Sequence, residues 1–359
     1  GSRLPIIQGT SFAFIPIMLP FKAFGLGAIF TAAFIGGIFQ IWIGKMLKPI
    51  RHMFPPLVTG IVVLMIGISL LKVGFKYAGG GVWLMNNKPE IFANWHHLTI
   101  AGTVLIVALL ANIKGKGMAS AASILIGIVA GFIVAAMLGE VRWEKIAAAD
   151  WFALPMPLQY GIDFVWGAVI LMLFMSIVTT IETIGDISAT TMGGANREAT
   201  NKELSGGIMA DGVGTAFASI FNAMPNTSYS QNAGLVAFTG VISRHVGTVA
   251  GVILILLGLF PKLGGIIAAM PDSVIGGAAI IMFGLIAGAG IKLISKSEMS
   301  QRNILILALS LSFGIGLYAF PEFVAHVPDL GIKLGLLLTT GLIPAGLLAF
   351  ILNATLPKK

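Results

Sequence analysis

Long uninterrupted apolar runs constrain this chain more than any other feature. The stretch at 24–44 and its successors approach the roughly 20 residues that a helix needs to cross a bilayer. Hydrophobic residues make up 57% of the chain and charged residues 10%, whereas soluble domains carry about 25% charged residues. A water-soluble fold would lack polar surface, and a disordered chain would need less apolar surface and more charge. A membrane barrel would alternate in segments of about ten residues. The chain is therefore expected to be an all-α polytopic membrane protein. Spans are predicted near 24–44, 55–75, 99–113, 118–138, 162–182, 205–222, 233–243, 246–260, 273–293, 303–320 and 333–353, with a partial span at 4–19.

Cysteine is absent, which removes disulfides, thiolate metal sites and cysteine nucleophiles. The formal charge of +8 falls in no basic run that would suit nucleic acid, so it is read as a topology signal. Fourteen of the 22 Lys and Arg residues collect on the side that holds Lys45, Lys114, Arg197, Lys202, Lys292 and Lys358. That side is expected to be cytoplasmic and includes the C-terminus. The loops at 76–98 and 139–161, with Trp95, Trp143 and Trp151, are expected outside. His52, His96, His97 and His326 fall in predicted loops and are expected to be solvated, and no metal-ligand spacing occurs.

A weak internal repeat runs through the chain. Thr10-Ser-Phe-Ala13 returns as Thr227-Ser-Tyr-Ser230, 217 residues on. Pro55, Val58 and Gly60 return as Pro271, Val274 and Gly276, 216 residues on. The offset extrapolates to two halves of seven spans, inverted across the membrane, with twelve of fourteen spans present and two preceding Gly1.

Ionisable groups inside a span are functional candidates. Nine of the 14 acids sit in loops or near ends, and Asp163 and Asp272 begin spans as expected caps. Three remain. Glu182 follows the apolar run 170–178, Asp186 shares its helix face one turn on and is expected at the cytoplasmic edge, and Asp211 lies among Gly206, Gly207, Gly212 and Gly214. The polar stretch 222–234 contains Pro225 and is predicted to interrupt a span, with a half-helix starting near Gln231. Gln8–Phe14 is its counterpart. Paired interrupted segments of this kind point to a transporter site. Gln231 and Asn232 offer both donors and acceptors, and Tyr229 offers a flat ring face, a set suited to a neutral polar ring.

Gln231-Asn232-x-Gly234-xxxx-Thr239-Gly240, with Glu182-Thr-Ile-Gly-Asp186, Asp211-Gly212 and Gln8-Gly-Thr-Ser-Phe12, resembles the nucleobase–ascorbate (nucleobase–cation symporter 2) transporters over essentially the whole chain. The resemblance implies a seven-plus-seven inverted-repeat fold with two interrupted helices containing short extended segments. It implies that Glu182 accepts hydrogen bonds from ring N–H groups of a base, that Gln231 binds the opposite edge, and that Phe12 and Tyr229 sandwich the ring, with backbone N–H groups near Phe12 and Ser230. Asn232 is implied to contact Asp211, and Gly234 and Thr239 belong to the signature. Glutamine at 231 resembles the purine branch, with xanthine or uric acid as expected substrate; uracil or another base is the alternative.

The family pattern further implies proton symport, with Glu182 or Asp211 carrying the proton and no other cofactor. It implies a moving core (1–52 and 161–260), a gate (53–160 and 261–359) that forms a homodimer among the membrane lipids, elevator motion, and residence in the inner (plasma) membrane. The two preceding spans belong to the family's core. Two other readings are weighed. An anion transporter or channel of the same plan would be expected to place a cation between the interrupted segments, where this sequence has none. An intramembrane aspartyl protease would use Asp186 and Asp211 as a pair.

Overall fold

The structure, a computed structural model, describes residues 1–46, 55–326, 335 and 338–357. Lys48, Arg51, His52, Asp329, Lys333, Lys358 and Lys359, together with part of the span expected at 333–353, lie outside the described residues. A short strand, β1 (Gln8–Thr10), is followed by α1 (Ile15–Met18), α2 (Leu26–Lys45), α3 (Pro56–Ala78), α4 (Trp95–Lys114), α5 (Ser123–Met137), α6 (Trp166–Ala195) and α7 (Asn201–Ile220). Strand β2 (Asn226–Ser228) leads into α8 (Ser230–Thr239), α9 (Arg244–Gly258), α10 (Pro261–Ala269), α11 (Asp272–Ile294), α12 (Gln301–Ala319) and α13 (Leu342–Thr355).

Six of the described helices are long and apolar enough to cross a membrane: α2, α3, α4, α6, α11 and α12. The pair α9 and α10 passes the same test together but bends by 77° between them, where Pro261 opens α10. The other expected spans are assembled differently. Gly206, Gly207 and Asp211 dilute the apolar content of α7. α5 and α13 are apolar but have 15 and 14 residues. The segment expected at 4–19 contains strand and short helix, and that expected at 233–243 holds only the end of the ten-residue α8, which stops at Gly240 with φ 68°.

Two compact units are present, one formed by residues 1–69, 156–247 and 286–359, the other by 70–155 and 248–285. In the first, α2 packs against α6 and α7. A Cβ on Gly37 would lie 2.6 Å from the Gly212 carbonyl oxygen, and one on Gly212 would lie 2.7 Å from the Ile41 nitrogen, so these backbones touch. In the second, Ile100 and Val104 of α4, Ala135 of α5, and Val274 and Ala278 of α11 form one buried cluster.

Helices α3 and α11 record the internal repeat. Each has 23 residues, and each starts one residue after its repeat proline. Within the first unit a Cβ on Gly60 would lie 2.8 Å from the Ile294 nitrogen; within the second, a Cβ on Gly276 would meet the backbone of Ala78. Adding 216 to Gly60 gives Gly276, and subtracting it from Ile294 gives Ala78. An exchange of this kind is what a two-fold relation between inverted repeats produces.

Candidate functional site

The two interrupted segments meet. β1 and β2 pair antiparallel with Gln8 opposite Ser228, Gly9 opposite Thr227 and Thr10 opposite Asn226. Beyond the strands, Ser11 N–H donates to the Pro225 carbonyl at 3.0 Å and Tyr229 N–H donates to the Ile7 carbonyl at 3.0 Å. The register therefore centres on Gly9 and Thr227, one residue from the alignment that the sequence match suggests. Glycine fits at 9 because a Cβ there would come within 2.7 Å of the Tyr229 ring carbon that bears the hydroxyl. This strand pair gives backbone at membrane depth the partners that lipid cannot supply.

Each strand delivers an aromatic ring. Phe12 opens the single turn Phe12–Phe14, which Ser11 caps by accepting from Ala13 N–H at 3.2 Å. Tyr229 precedes α8 and donates its hydroxyl to the Thr10 carbonyl at 3.3 Å. Phe12 and Tyr229 are 40% and 38% exposed, so both retain surface for a ligand. Tyr229 makes no side-chain cap to α8, and the first N–H groups of that helix have no intrahelical partner. The side chains of Ser230 and Gln231 lie outside the described residues; their backbone forms the first turn of α8, and Gly234 and Thr239 follow on the same helix.

α6 supplies the acids. It runs 30 residues, about 45 Å at 1.5 Å per residue. Glu182 lies about 24 Å from its first residue on the same measure. Buried hydroxyls line this helix, and most satisfy themselves on the preceding turn: Ser176 donates to Met172, Thr179 to Met175 and Thr180 to Ser176. Thr183 is different. Its hydroxyl donates to the Asp211 Oδ2 of α7 in a short hydrogen bond. Ser228 of β2 lies 2.7 Å from Asp186 Oδ2 and 3.4 Å from Thr183 Oγ1. Four side chains thus form an unbroken oxygen chain, Asp186–Ser228–Thr183–Asp211. A hydroxyl has one proton to donate, so Ser228 serves Asp186 or Thr183 according to whether Asp186 is ionised.

α7 anchors the other side of β2. Thr215 Oγ1 donates to Asn226 Oδ1 at 2.7 Å, and Asn226 N–H donates to Thr215 Oγ1 at 3.2 Å. Gly214 leaves room for that amide, since a Cβ there would lie 2.6 Å from Asn226 Nδ2. Gln8 Nε2 reaches the Gly207 carbonyl at 3.5 Å.

Several expectations need correction. Asp186 is not at an aqueous edge; it is 7% exposed and bonded to Ser228, because α6 continues nine residues beyond it and β2 packs against it. Asn232 makes no hydrogen bond to Asp211 among the described residues. Its amide donates to the Pro5 carbonyl, where the extended N-terminal chain presents an unpaired acceptor, while Thr183 serves Asp211. Asp163 caps nothing: α6 begins at Trp166, and Asp163 N–H donates to Thr31 Oγ1. Asp272 is the first residue of α11 rather than its cap, and Arg142 reaches it at 3.5 Å. His97 is 8% exposed, held in the first turn of α4 by the Asn94 cap, and His96 is bonded to Glu140 at 2.9 Å. Glu182 is half-buried and makes no hydrogen bond or ion pair among the described residues. Its place beside the strand pair comes from the helix rather than from a partner.

The oxygen chain was not legible from the motifs. The Thr183 and Ser228 hydroxyls carry no sequence signal beyond their place next to Glu182 and Tyr229.

This architecture defines a class: a multi-pass membrane protein of the seven-plus-seven inverted-repeat transporter fold. Two solved structures share it. The transmembrane domain of a cyanobacterium bicarbonate transporter, BicA, matches with a TM-score of 0.61 at 17% identity, over 85% of this chain and 80% of that one. SLC26A9 matches with a TM-score of 0.61 at 16% identity, over 87% of this chain and 54% of that one. At these identities the likeness is one of fold. Residues 1–323 match the Xan_ur_permease family, described as a permease family, and the chain belongs to it. It is 34% identical over 375 residues to the xanthine permease XanP of Escherichia coli (strain K12), covering 100% of this chain and 80% of XanP. It is 33% identical over 357 residues to the uric acid permease PucJ of Bacillus subtilis (strain 168), covering 98% of this chain and 78% of PucJ. These relatives are permeases and not enzymes.

Proposed function

We infer that this protein is a nucleobase transporter that takes up a purine, xanthine or uric acid, by proton symport. One observation carries the reading: Glu182 is a half-buried carboxylate without a partner among the described residues, one turn from the chain that links Asp186, Ser228, Thr183 and Asp211. A xanthine ring offers N–H donors to such a carboxylate. Tyr229 and Phe12 flank the ring, the start of α8 at Ser230 and Gln231 meets its far edge, and Asn232 holds α8 to the N-terminal chain. The names of XanP and PucJ agree with a purine substrate.

The proton fits the same geometry. When Asp186 is protonated, its hydroxyl donates to Ser228, and the Ser228 proton turns toward Thr183. The change passes through Thr183 of α6 to Asp211. The site has acids in place of a cation: residues 8–10 and 222–234 contain no Lys or Arg, which disfavours an anion carrier despite the shared fold. In this reading residues 1–52 and 161–260 are the core that carries the site, and 53–160 and 261–359 are a gate that pairs with a second copy. The core moves as an elevator in the inner membrane, with the C-terminus cytoplasmic.

The test is Glu182→Gln, which keeps the shape and removes the charge. Two hydrogen bonds to a charged acceptor, at about 1.5 kcal/mol each, predict a loss of about 100-fold in radiolabelled xanthine uptake with normal membrane insertion. Uptake within a few-fold of the parent would overturn the assignment.

A further inference from the structure

Gln40 stands in α2, whose other polar side chains are Thr31 and the terminal Lys45, and is 1% exposed. Its Nε2 has no hydrogen-bond partner among the described residues. Asp211 is 0% exposed, and although Oδ2 accepts from Thr183, Oδ1 has no partner either. One orphan is a donor and the other an acceptor. Buried polar groups that lack partners are rare and call for an explanation.

Packing contacts put the two at one level. A Cβ on Gly37 would touch the Gly212 carbonyl oxygen and the Ala216 backbone, and one on Gly44 would touch Met209 and the Ser205 carbonyl oxygen. Gln40 lies between these glycines on α2, so its turn faces the part of α7 between Met209 and Gly212, which includes Asp211. From α6, the Ser176 hydroxyl oxygen lies 3.1 Å from the Gly36 carbonyl oxygen, which sets Gln40 a turn further on, beside Thr179, Thr180 and Thr183. The first two donate their hydroxyl protons to their own helix and Thr183 donates to Asp211. The charged or titratable groups on the packed elements are Glu182 and Asp186 on α6, Lys202 and Glu203 at the far end of α7, and Lys45 at the last residue of α2.

The geometry points to Gln40 as the positioning residue of Asp211. Its amide, directly or through one buried water, donates to Oδ1 while Asp211 is ionised. Its carbonyl oxygen accepts from the same position once Asp211 is protonated. An amide can serve both charge states because it carries donor and acceptor; the Thr179 and Thr180 protons are already committed to carbonyls of α6, and an apolar residue offers neither. This role rests on the proton-symport reading above only for its consequence in transport.

The experiment combines Gln40→Met, of similar volume, with Asp211→Leu, which removes both carboxylate oxygens. Thermal unfolding of the purified protein is measured for both single variants and the double variant. Coupling predicts that the double variant loses clearly less melting temperature than the two single losses together. Additive losses would overturn the assignment whatever the transport mechanism. In vesicles, Gln40→Met is expected to move the pH profile of xanthine uptake by about one pH unit, the size of one hydrogen bond to a charged group, with the KM for xanthine within about two-fold. An unmoved profile beside a proton-driven parent would refute the role in coupling. A parent indifferent to pH and to a protonophore would refute proton symport and leave the unfolding cycle to judge Gln40. If Gln40→Met does not insert, Gln40→Asn, which keeps the amide one methylene short, replaces it in both measurements.

Discussion

Gly37→Ala probes the close backbone contact of α2 with α7. The added Cβ would sit 2.6 Å from the Gly212 carbonyl oxygen and 2.7 Å from the Ala216 nitrogen. Both are backbone atoms and neither can swing aside. A relaxed carbon–oxygen contact is about 3.3 Å, so α2 and α7 must separate by about 0.7 Å. The same two helices are joined by the Ser205 hydroxyl, which donates to the Gly44 carbonyl at 2.6 Å. A like displacement stretches that bond to about 3.3 Å, beyond the usual O–H···O range. Overpacking costs about 1–3 kcal/mol and the weakened bond about 1 kcal/mol, a total of about 2–4 kcal/mol. With an unfolding entropy of about 2.1 cal/mol/K per residue over 359 residues, melting should fall by about 3–5 °C. The control is Gly288→Ala on α11, where an added Cβ meets nothing within 4 Å and the helix gains about 0.5–1 kcal/mol from alanine. Thermal unfolding in detergent, read by circular dichroism, compares the two. If Gly37→Ala melts within about 1 °C of the parent, the close approach of α2 to α7 is not what the packing argument requires.

Other perturbations test other links. Ser228→Ala removes the donor to Asp186 and breaks the oxygen chain; a lost hydrogen bond to a carboxylate, about 1.5–3 kcal/mol, predicts xanthine uptake slowed by about 10- to 100-fold, and unchanged uptake would show that the chain carries no proton. The Glu203 carboxylate, gripped by both Arg197 Nη atoms at 2.9 and 2.6 Å and by Thr200 N–H, has its pKa lowered from 4.5 to about 2, chiefly by the Arg197 hydrogen bonds. A depressed folded-state value means that this stabilisation is complete above about pH 4.5 and is lost as pH falls toward 2, so the melting difference between the parent and Glu203→Gln should shrink over that window. A difference constant from pH 6 to 3 would contradict this.

Much of the architecture is written in residue type and spacing. α2 and α3 fall within three residues of their apolar runs, because a helix in lipid must satisfy its own backbone and its sequence has to be apolar over one bilayer thickness. The interrupted segments were equally visible, since Pro225 and the crowd of Asn, Thr and Ser around it cannot sustain that helix. Partner choice was not legible. Asp186 follows Glu182 by one turn, and whether it reaches water depends on the course of β2, set by a register that one residue of slip would change. Asn232 finds Pro5 because the N-terminal chain crosses α8, a contact 227 residues away in sequence. His97 is buried by the packing around Gly80, whose added Cβ would lie 2.8 Å from its ring nitrogen. Such contacts are long-range, and local composition carries no trace of them.

The repeat explains why the site lies where the strands pair. A half-helix that begins at membrane depth leaves N–H groups unpaired, and the extended residue stretch before it leaves both donors and acceptors unpaired. One interrupted segment alone would have to find these partners in side chains or water. Two segments related by inversion run antiparallel where they cross, and antiparallel strands satisfy one another, as Gln8–Thr10 and Asn226–Ser228 do. The residues just past each strand are then left at a common opening: Phe12 from one half, Tyr229 and the start of α8 from the other. The acids of α6 and α7 reach the pair from one half only, which makes the opening chemically lopsided. A symmetric backbone frame with an asymmetric set of carboxylates can bind a ring whose two edges differ, as those of a purine do.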